Sequence, residues 1–90
     1  MGKIIQRATA GTLESSDAFV SIEPNEQGLD IHIDSVVIKQ FGDDILSATK
    51  DVLREFDVTD ARISVVDRGA LECVLRARVE CAVLRAKGEC

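Results

Sequence analysis

Tryptophan and tyrosine are absent from this 90-residue chain, and phenylalanine occurs three times. The core must therefore be aliphatic, and an aromatic cage or base-stacking platform has almost nothing to be built from. Proline occurs once and glycine six times, with 46% hydrophobic and 30% charged residues. That balance belongs to a folded globular domain and argues against disorder. Basic residues are in deficit, 11 against 16 acidic ones, for a net charge of −5. Non-specific nucleic-acid binding runs on Lys/Arg contacts to phosphate, so no nucleic-acid partner is expected. No apolar run approaches the roughly 18 residues needed to cross a bilayer, so no membrane partner is expected either. The opening Met1 to Arg7 has too short an apolar core for a secretory signal, and Gln6 stands where a myristoylation signal after Gly2 wants Ser or Thr. The three cysteines, Cys73, Cys81 and Cys90, show neither CxxC nor Cys/His metal spacing. They fit a reducing compartment, with Cys73 and Cys81 as small core residues and Cys90 as a loose terminal thiol. One cytoplasmic domain over residues 1–90, without a metal, is the expectation.

The charge is unevenly spread. Residues 1–60 hold five basic and twelve acidic groups (5 − 12 = −7), and residues 61–90 hold six and four (6 − 4 = +2). An anionic ligand or acidic surface would sooner meet the C-terminal third, through Arg76, Arg78 or Arg85, unless that third is simply a solvated face.

The stretch that organises the chain is Gly11-Thr12-Leu13-Glu14-Ser15-Ser16-Asp17. Runs that read as strands flank it, and Ser, Asp and Gly close turns because short polar side chains bond nearby backbone and glycine relieves the limit on φ. A hairpin tip is expected at about Glu14 to Asp17, holding two serine hydroxyls in water. From local chemistry alone, serines that merely close a turn are the favoured reading, since turn serines are common.

Met1 to Gln6 reads as a frayed start, and Ile4 to Leu13 suggests an irregular first strand interrupted at Ala10-Gly11. Ala18 to Glu23 alternates, with Ala18, Val20 and Ile22 on one face. Pro24 to Gly28 is the most obvious turn. Leu29 to Ser35 alternates again, placing Asp30, His32 and Asp34 outward, and His32 reads as an exposed strand histidine because no second imidazole or thiolate lies at ligand spacing. The period then changes: Ile38, Phe41, Ile45, Ala48, Val52 and Phe56 mark an amphipathic helix over about Val37 to Phe56, the main lid on the core, with Gly42 allowing close approach to the sheet. Ala61 to Val66 is a further strand, ended by Asp67-Arg68-Gly69. Leu71 to Val79 fits both periods. Arg78 spoils the helix template and Val74 the strand, and Asp-x-Gly between apolar runs suits a hairpin, so a strand passing into a short C-terminal helix is preferred. The fold class expected is α+β: a small, mostly antiparallel sheet of about four to five strands, covered on one face by one long helix, with a short C-terminal helix.

No Gly-rich phosphate loop, nucleophile elbow or His/Cys or Ser/His constellation is present, so an enzyme in its own right is not expected. Two classes stay open: a carrier presenting a tethered group from an exposed serine, and a small ligand-sensing or assembly domain. Here a resemblance enters. The run Ala10 to Asp17, then Lys39-Gln40-Phe41-Gly42-Asp43, Asp51-Val52-Leu53 and Asp67 to Arg78, resembles the acyl carrier subunit (gamma chain) of citrate lyase in one register across nearly the whole chain. The carrier subunit of malonate decarboxylase is similar more distantly. The resemblance implies a covalently attached 2'-(5''-phosphoribosyl)-3'-dephospho-CoA on the serine of a Gly-Thr-Leu-Glu-Ser-Gly-Asp motif, which falls on Ser15, with Ser16 in place of the motif's second glycine. It also implies a hetero-oligomer with the citrate lyase alpha (acyl transferase) and beta (citryl lyase) subunits, after loading by a prosthetic-group transferase.

Overall fold

A computed structural model describes residues 4–35 and 38–89, the side chains of 38–43 excepted. The chain runs β1 (Ala8–Gly11), β2 (Ala18–Pro24), β3 (Leu29–Ser35), α1 (Ile38–Glu55), β4 (Ala61–Asp67) and α2 (Glu72–Ala86). The four strands form one sheet in the order β1-β2-β4-β3. Both β1–β2 and β2–β4 are antiparallel, while β3 and β4 are parallel. A parallel pair needs a crossover connection, and α1 is that crossover.

Register follows from alternation. Val20 pairs with Ala10 and Val65, and Ile63 pairs with Ile22 and Ile31, so the apolar residues of all four strands share one face. Ala18, Val20, Ile22, Ala61, Ile63 and Val65 are at most 1% exposed. The two helices cover that face together: α2 lies against β1 and β2, α1 lies against β3, and the helices pack on each other. Leu53 and Val52 of α1 and Val79, Ala82, Val83 and Ala86 of α2 close the aliphatic core. The opposite face carries Phe19, Ser21, Glu23, Arg62, Ser64 and Val66, flanked by Asp30, His32 and Asp34, and among the described residues has no helix over it. His32 is exposed there, as its alternation suggested.

Several local expectations are corrected. The segment 72–79 is helical, part of α2 with Leu71 as its N-cap, and among the described residues no strand follows β4. The reason is positional: β4 already has β2 on one side and β3 on the other, so a hairpin strand after Asp67 has no edge to join. Gly69 does sit at φ +89, but it turns the chain out of the sheet. The cover is therefore shared by two long helices, not one. The first strand is shorter than Ile4 to Leu13: β1 covers Ala8–Gly11 and ends at Gly11. Residues 4–6 are tied down: Ile4 is buried, and the Ile5 and Gln6 amides donate to the Ala86 carbonyl. Cys73 is exposed and outside the core, whereas Cys81 packs against it. Cys90 and the packing of Ile38, Phe41 and Gly42 lie outside the described residues and side chains.

Both helices stop by the same device. Asp57 adopts φ +55 after α1, its amide donates to Arg54 O, and Val58 N donates to Leu53 O at 2.9 Å. Gly88 does the same after α2, with Gly88 N to Arg85 O and Glu89 N to Leu84 O. A left-handed residue lets two amides turn back onto orphan carbonyls. Lys87, nearly buried, joins the two ends: its ammonium donates to Phe56 O and lies 5.7 Å from the Phe56 ring centroid.

Candidate functional site: the serine turn between the first two strands

The connection from β1 to β2 is a tight turn grafted on a bulge. Asp17 N donates to Glu14 O at 3.2 Å, so Ser15 and Ser16 are the two corner residues. Ser16 has φ +65, the conformation that the third position of such a turn demands. Beyond the turn the β2–β4 ladder continues irregularly: Ser16 N donates to Arg68 O at 2.8 Å, and Arg68 N donates to Asp17 O at 2.9 Å. Two residues of one strand thus oppose one of the other, a β-bulge whose first residue is left-handed. That geometry favours glycine, because a side chain there costs energy. The motif glycine that Ser16 replaces is explained by backbone geometry.

A side-chain network fixes the turn from below. Asp17 Oδ2 accepts from the Thr12 hydroxyl at 2.7 Å, and Asp17 Oδ1 accepts from its neighbour's amide, Ala18 N, at 2.7 Å. Thr12 Oγ1 in turn accepts from Glu14 N at 3.2 Å. Arg78 reaches across from α2 with Nε and Nη2, at 2.9 and 3.1 Å, onto the two oxygens of the same carboxylate. This two-pronged pairing matches the guanidinium fork to a carboxylate. The Asp17 carboxyl is held far below its ordinary range, first by Arg78, then by the Thr12 hydroxyl and the Ala18 amide, against the opposing effect of burial. Arg78 is correspondingly held above its ordinary value, chiefly by its hydrogen bond to Asp17.

Gly11 makes the clasp fit. It has φ +91, and a Cβ there would lie 1.8 Å from Ala18 O and 3.1 Å from Arg78 Cδ. The Arg78 stem therefore passes over a bare backbone.

On this platform Ser15 is exposed, as are Leu13, Glu14 and Ser16. The hairpin tip expected at Glu14 to Asp17 is where the structure has it. The Ser15 hydroxyl has no protein hydrogen-bond partner among the described residues, and no element packs over it. A serine so placed is open to an outside enzyme.

The arginines are rearranged relative to expectation. A strand over Leu71 to Val79 would have put Arg76 and Arg78 on one outward face, whereas both lie in α2. Arg76 bridges the helices, pairing with Asp51 at 3.1 Å and Glu72 at 3.3 Å, and is held above its ordinary value mainly by the Asp51 bond. Arg78 is occupied by Asp17, and Arg85 donates to Thr9 O at 2.7 Å. Sequence reasoning missed Arg68 as a neighbour of the turn. Its one signal was the Asp67-Arg68-Gly69 stop after a strand in register with Ala18. Asp67 is buried and accepts from Ser35 Oγ at 2.8 Å and from Ala70 N at 3.0 Å, so the loop carrying Arg68 is pinned.

Comparison with known proteins agrees with this picture. The family model of the malonate decarboxylase delta subunit, an acyl carrier family, matches residues 5–86. The citrate lyase acyl carrier protein of Haemophilus ducreyi is 52% identical over 87 residues, covering 97% of this chain and 90% of that protein. The protein of the same name from Pectobacterium atrosepticum is 50% identical over 84 residues, covering 93% and 88%, and that of Latilactobacillus sakei 45% identical over 84 residues, covering 93% and 83%. Among solved structures, a chain of a Pseudomonas malonate decarboxylase hetero-tetramer in complex with malonate superposes with a TM-score of 0.77 at 26% identity, covering 92% of this chain and 86% of that one. By the match over residues 5–86 and these identities, the chain belongs to this family of acyl carrier proteins. Within it the role is that of the citrate lyase acyl carrier subunit, a non-catalytic one.

No helix among the described residues is long and apolar enough to cross a membrane.

Proposed function

We propose that Ser15 is the attachment point through which this carrier holds its acyl group, by a phosphodiester to a dephospho-CoA-derived arm ending in a thiol. The observation that carries the proposal is a solvent-exposed serine at the corner of a turn whose every other anchor is internal: Thr12, Asp17, Ala18, Arg68 and Arg78 all hold the turn and none holds the Ser15 hydroxyl. The residues around it fit such a group, because nothing walls the hydroxyl off and the platform beneath it is fixed. When bound, the arm supplies a thiol that holds acetyl and citryl groups as thioesters.

What this chain contributes is presentation. The turn keeps the attachment oxygen clear of the sheet, so a modifying transferase and two catalytic subunits can reach it in succession. Tethering converts each later encounter into an intramolecular one at raised effective concentration. In this reading the chain works within a hetero-oligomer, between an acyl transferase subunit that exchanges acetyl for citrate and a lyase subunit that releases oxaloacetate. The 26% identical malonate decarboxylase neighbour supports membership of a multi-subunit assembly. Identities of 45–52% to citrate lyase carriers support citrate as the acyl source.

The test is co-expression with the prosthetic-group transferase, followed by intact-mass measurement and peptide mapping of the wild type, Ser15→Ala and Ser16→Ala. The wild type and Ser16→Ala should each gain one arm on the peptide containing residue 15, and Ser15→Ala none. An arm on Ser16, or one retained by Ser15→Ala, overturns the assignment.

A further inference from the structure

Beyond the attachment point itself, the geometry points to Arg68 as the residue that contacts the phosphate of whatever diester is built on Ser15. This rests on the Ser15 reading and adds a binding residue to it. Three observations converge. First, Arg68 is locked to the turn by both backbone groups: its carbonyl accepts from Ser16 N at 2.8 Å, and its amide donates to Asp17 O at 2.9 Å. It therefore lies directly across the bulge from the residue next to Ser15. Second, its side chain is exposed. Asp67, one position earlier, points inward and is buried, and side chains alternate along a strand.

Third, its charge is uncommitted. Arg54, Arg62, Arg76 and Arg78 each pair with carboxylates, and Arg85 donates to the Thr9 carbonyl. Among the described arginines only Arg7 and Arg68 lack such a side-chain partner, and of these Arg68 alone adjoins the turn. The three arginines that sequence position favoured for an anionic ligand, Arg76, Arg78 and Arg85, are therefore spoken for, while an unassigned guanidinium stands beside the serine. Glu14, the other charged group at the tip, is a carboxylate with no cation partner among the described residues. A phosphate on Ser15 would sit next to that negative charge, and the guanidinium fork of Arg68 supplies the compensating donors. The same pinning by Asp67 that fixes the loop spares Arg68 the cost of ordering its backbone on binding.

The experiment loads the full chain with the transferase and follows both the rate and the ³¹P NMR resonance of the Ser15 diester. Arg68→Gln should load about tenfold more slowly, the loss of one charge-assisted hydrogen bond. Arg68→Lys should recover most of the rate, and the gap between wild type and Arg68→Gln should shrink at high salt. The diester resonance should move in loaded Arg68→Gln at fixed pH and stay put in Arg7→Gln. Because Arg68 anchors the turn through its backbone, Arg68→Gln should unfold at the wild-type urea midpoint. An arm on Ser15 whose resonance is the same in wild type and Arg68→Gln overturns the role of Arg68, whatever the loading rates. An arm found on a residue other than Ser15 overturns both that role and the Ser15 assignment.

Discussion

Replacing Gly11 by alanine separates two costs that usually arrive together. Gly11 and Gly69 have nearly the same backbone angle, φ +91 and +89, but opposite surroundings. A Cβ on Gly69 meets nothing within 4 Å, whereas one on Gly11 falls 1.8 Å from the Ala18 carbonyl oxygen. Gly69→Ala therefore carries the conformational cost alone, about 1–2 kcal/mol, less about 0.4–1 kcal/mol regained by restricting the unfolded chain. Gly11→Ala carries that and more. Real Cβ contacts essentially never fall under 3.0 Å, so the Ala18 carbonyl or the Gly11 backbone must move by at least 3.0 − 1.8 = 1.2 Å. A shift of that size breaks one or two ladder hydrogen bonds beside the turn, at about 0.5–1.5 kcal/mol each. The sum is about 2 kcal/mol, a sizeable share of the roughly 5–13 kcal/mol expected for 90 residues. Urea unfolding of the unloaded chain measures it, with the midpoint falling while the slope is kept. Loading of Ser15 should slow in Gly11→Ala and not in Gly69→Ala, because only Gly11 lies under the Arg78–Asp17 clasp. Equal destabilisation by the two substitutions, within about 0.5 kcal/mol, would refute the reasoning.

Two further outcomes are expected. Ser16→Gly should stabilise the chain by roughly 0.5–1 kcal/mol, since relief at φ +65 exceeds the extra entropy of glycine, and should leave Ser15 loading unchanged; a lower urea midpoint would count against the bulge geometry. Asp17→Asn should lower stability at neutral pH, and its gap to the wild type should close as the medium is acidified. The folded-state value of Asp17 is depressed, so its contribution is fully present above the unfolded value near 3.8 and is lost as pH falls below it. A gap that stays constant from pH 7 to about pH 2.5 would mean that the Arg78 pairing contributes nothing.

Much of this protein was legible in one dimension. Alternation over Ala18 to Glu23, Leu29 to Ser35 and Ala61 to Val66, and the 3.6-residue period over Ile38 to Phe56, mark elements the structure contains at nearly those bounds. Those signals are local: each residue's face is set by its neighbours along the chain. The turn around Ser15 was legible for the same reason, since Gly, Ser and Asp act within a few positions of themselves. The segment 71–79 was not. Its pattern satisfied both periods, and what chose helix was the filling of both sides of β4 by strands distant in sequence. Arg78 shows the same limit. By periodicity it is a flaw in an apolar stripe, yet its partner is Asp17, 61 positions away, and the pair clamps the serine turn. Sequence thus determined which short segments bend, alternate or coil, because those preferences are carried by adjacent residues. Tertiary structure alone decided which strand edges were free, which charges were already paired and which arginine was left beside Ser15, because each depends on groups that only folding brings together.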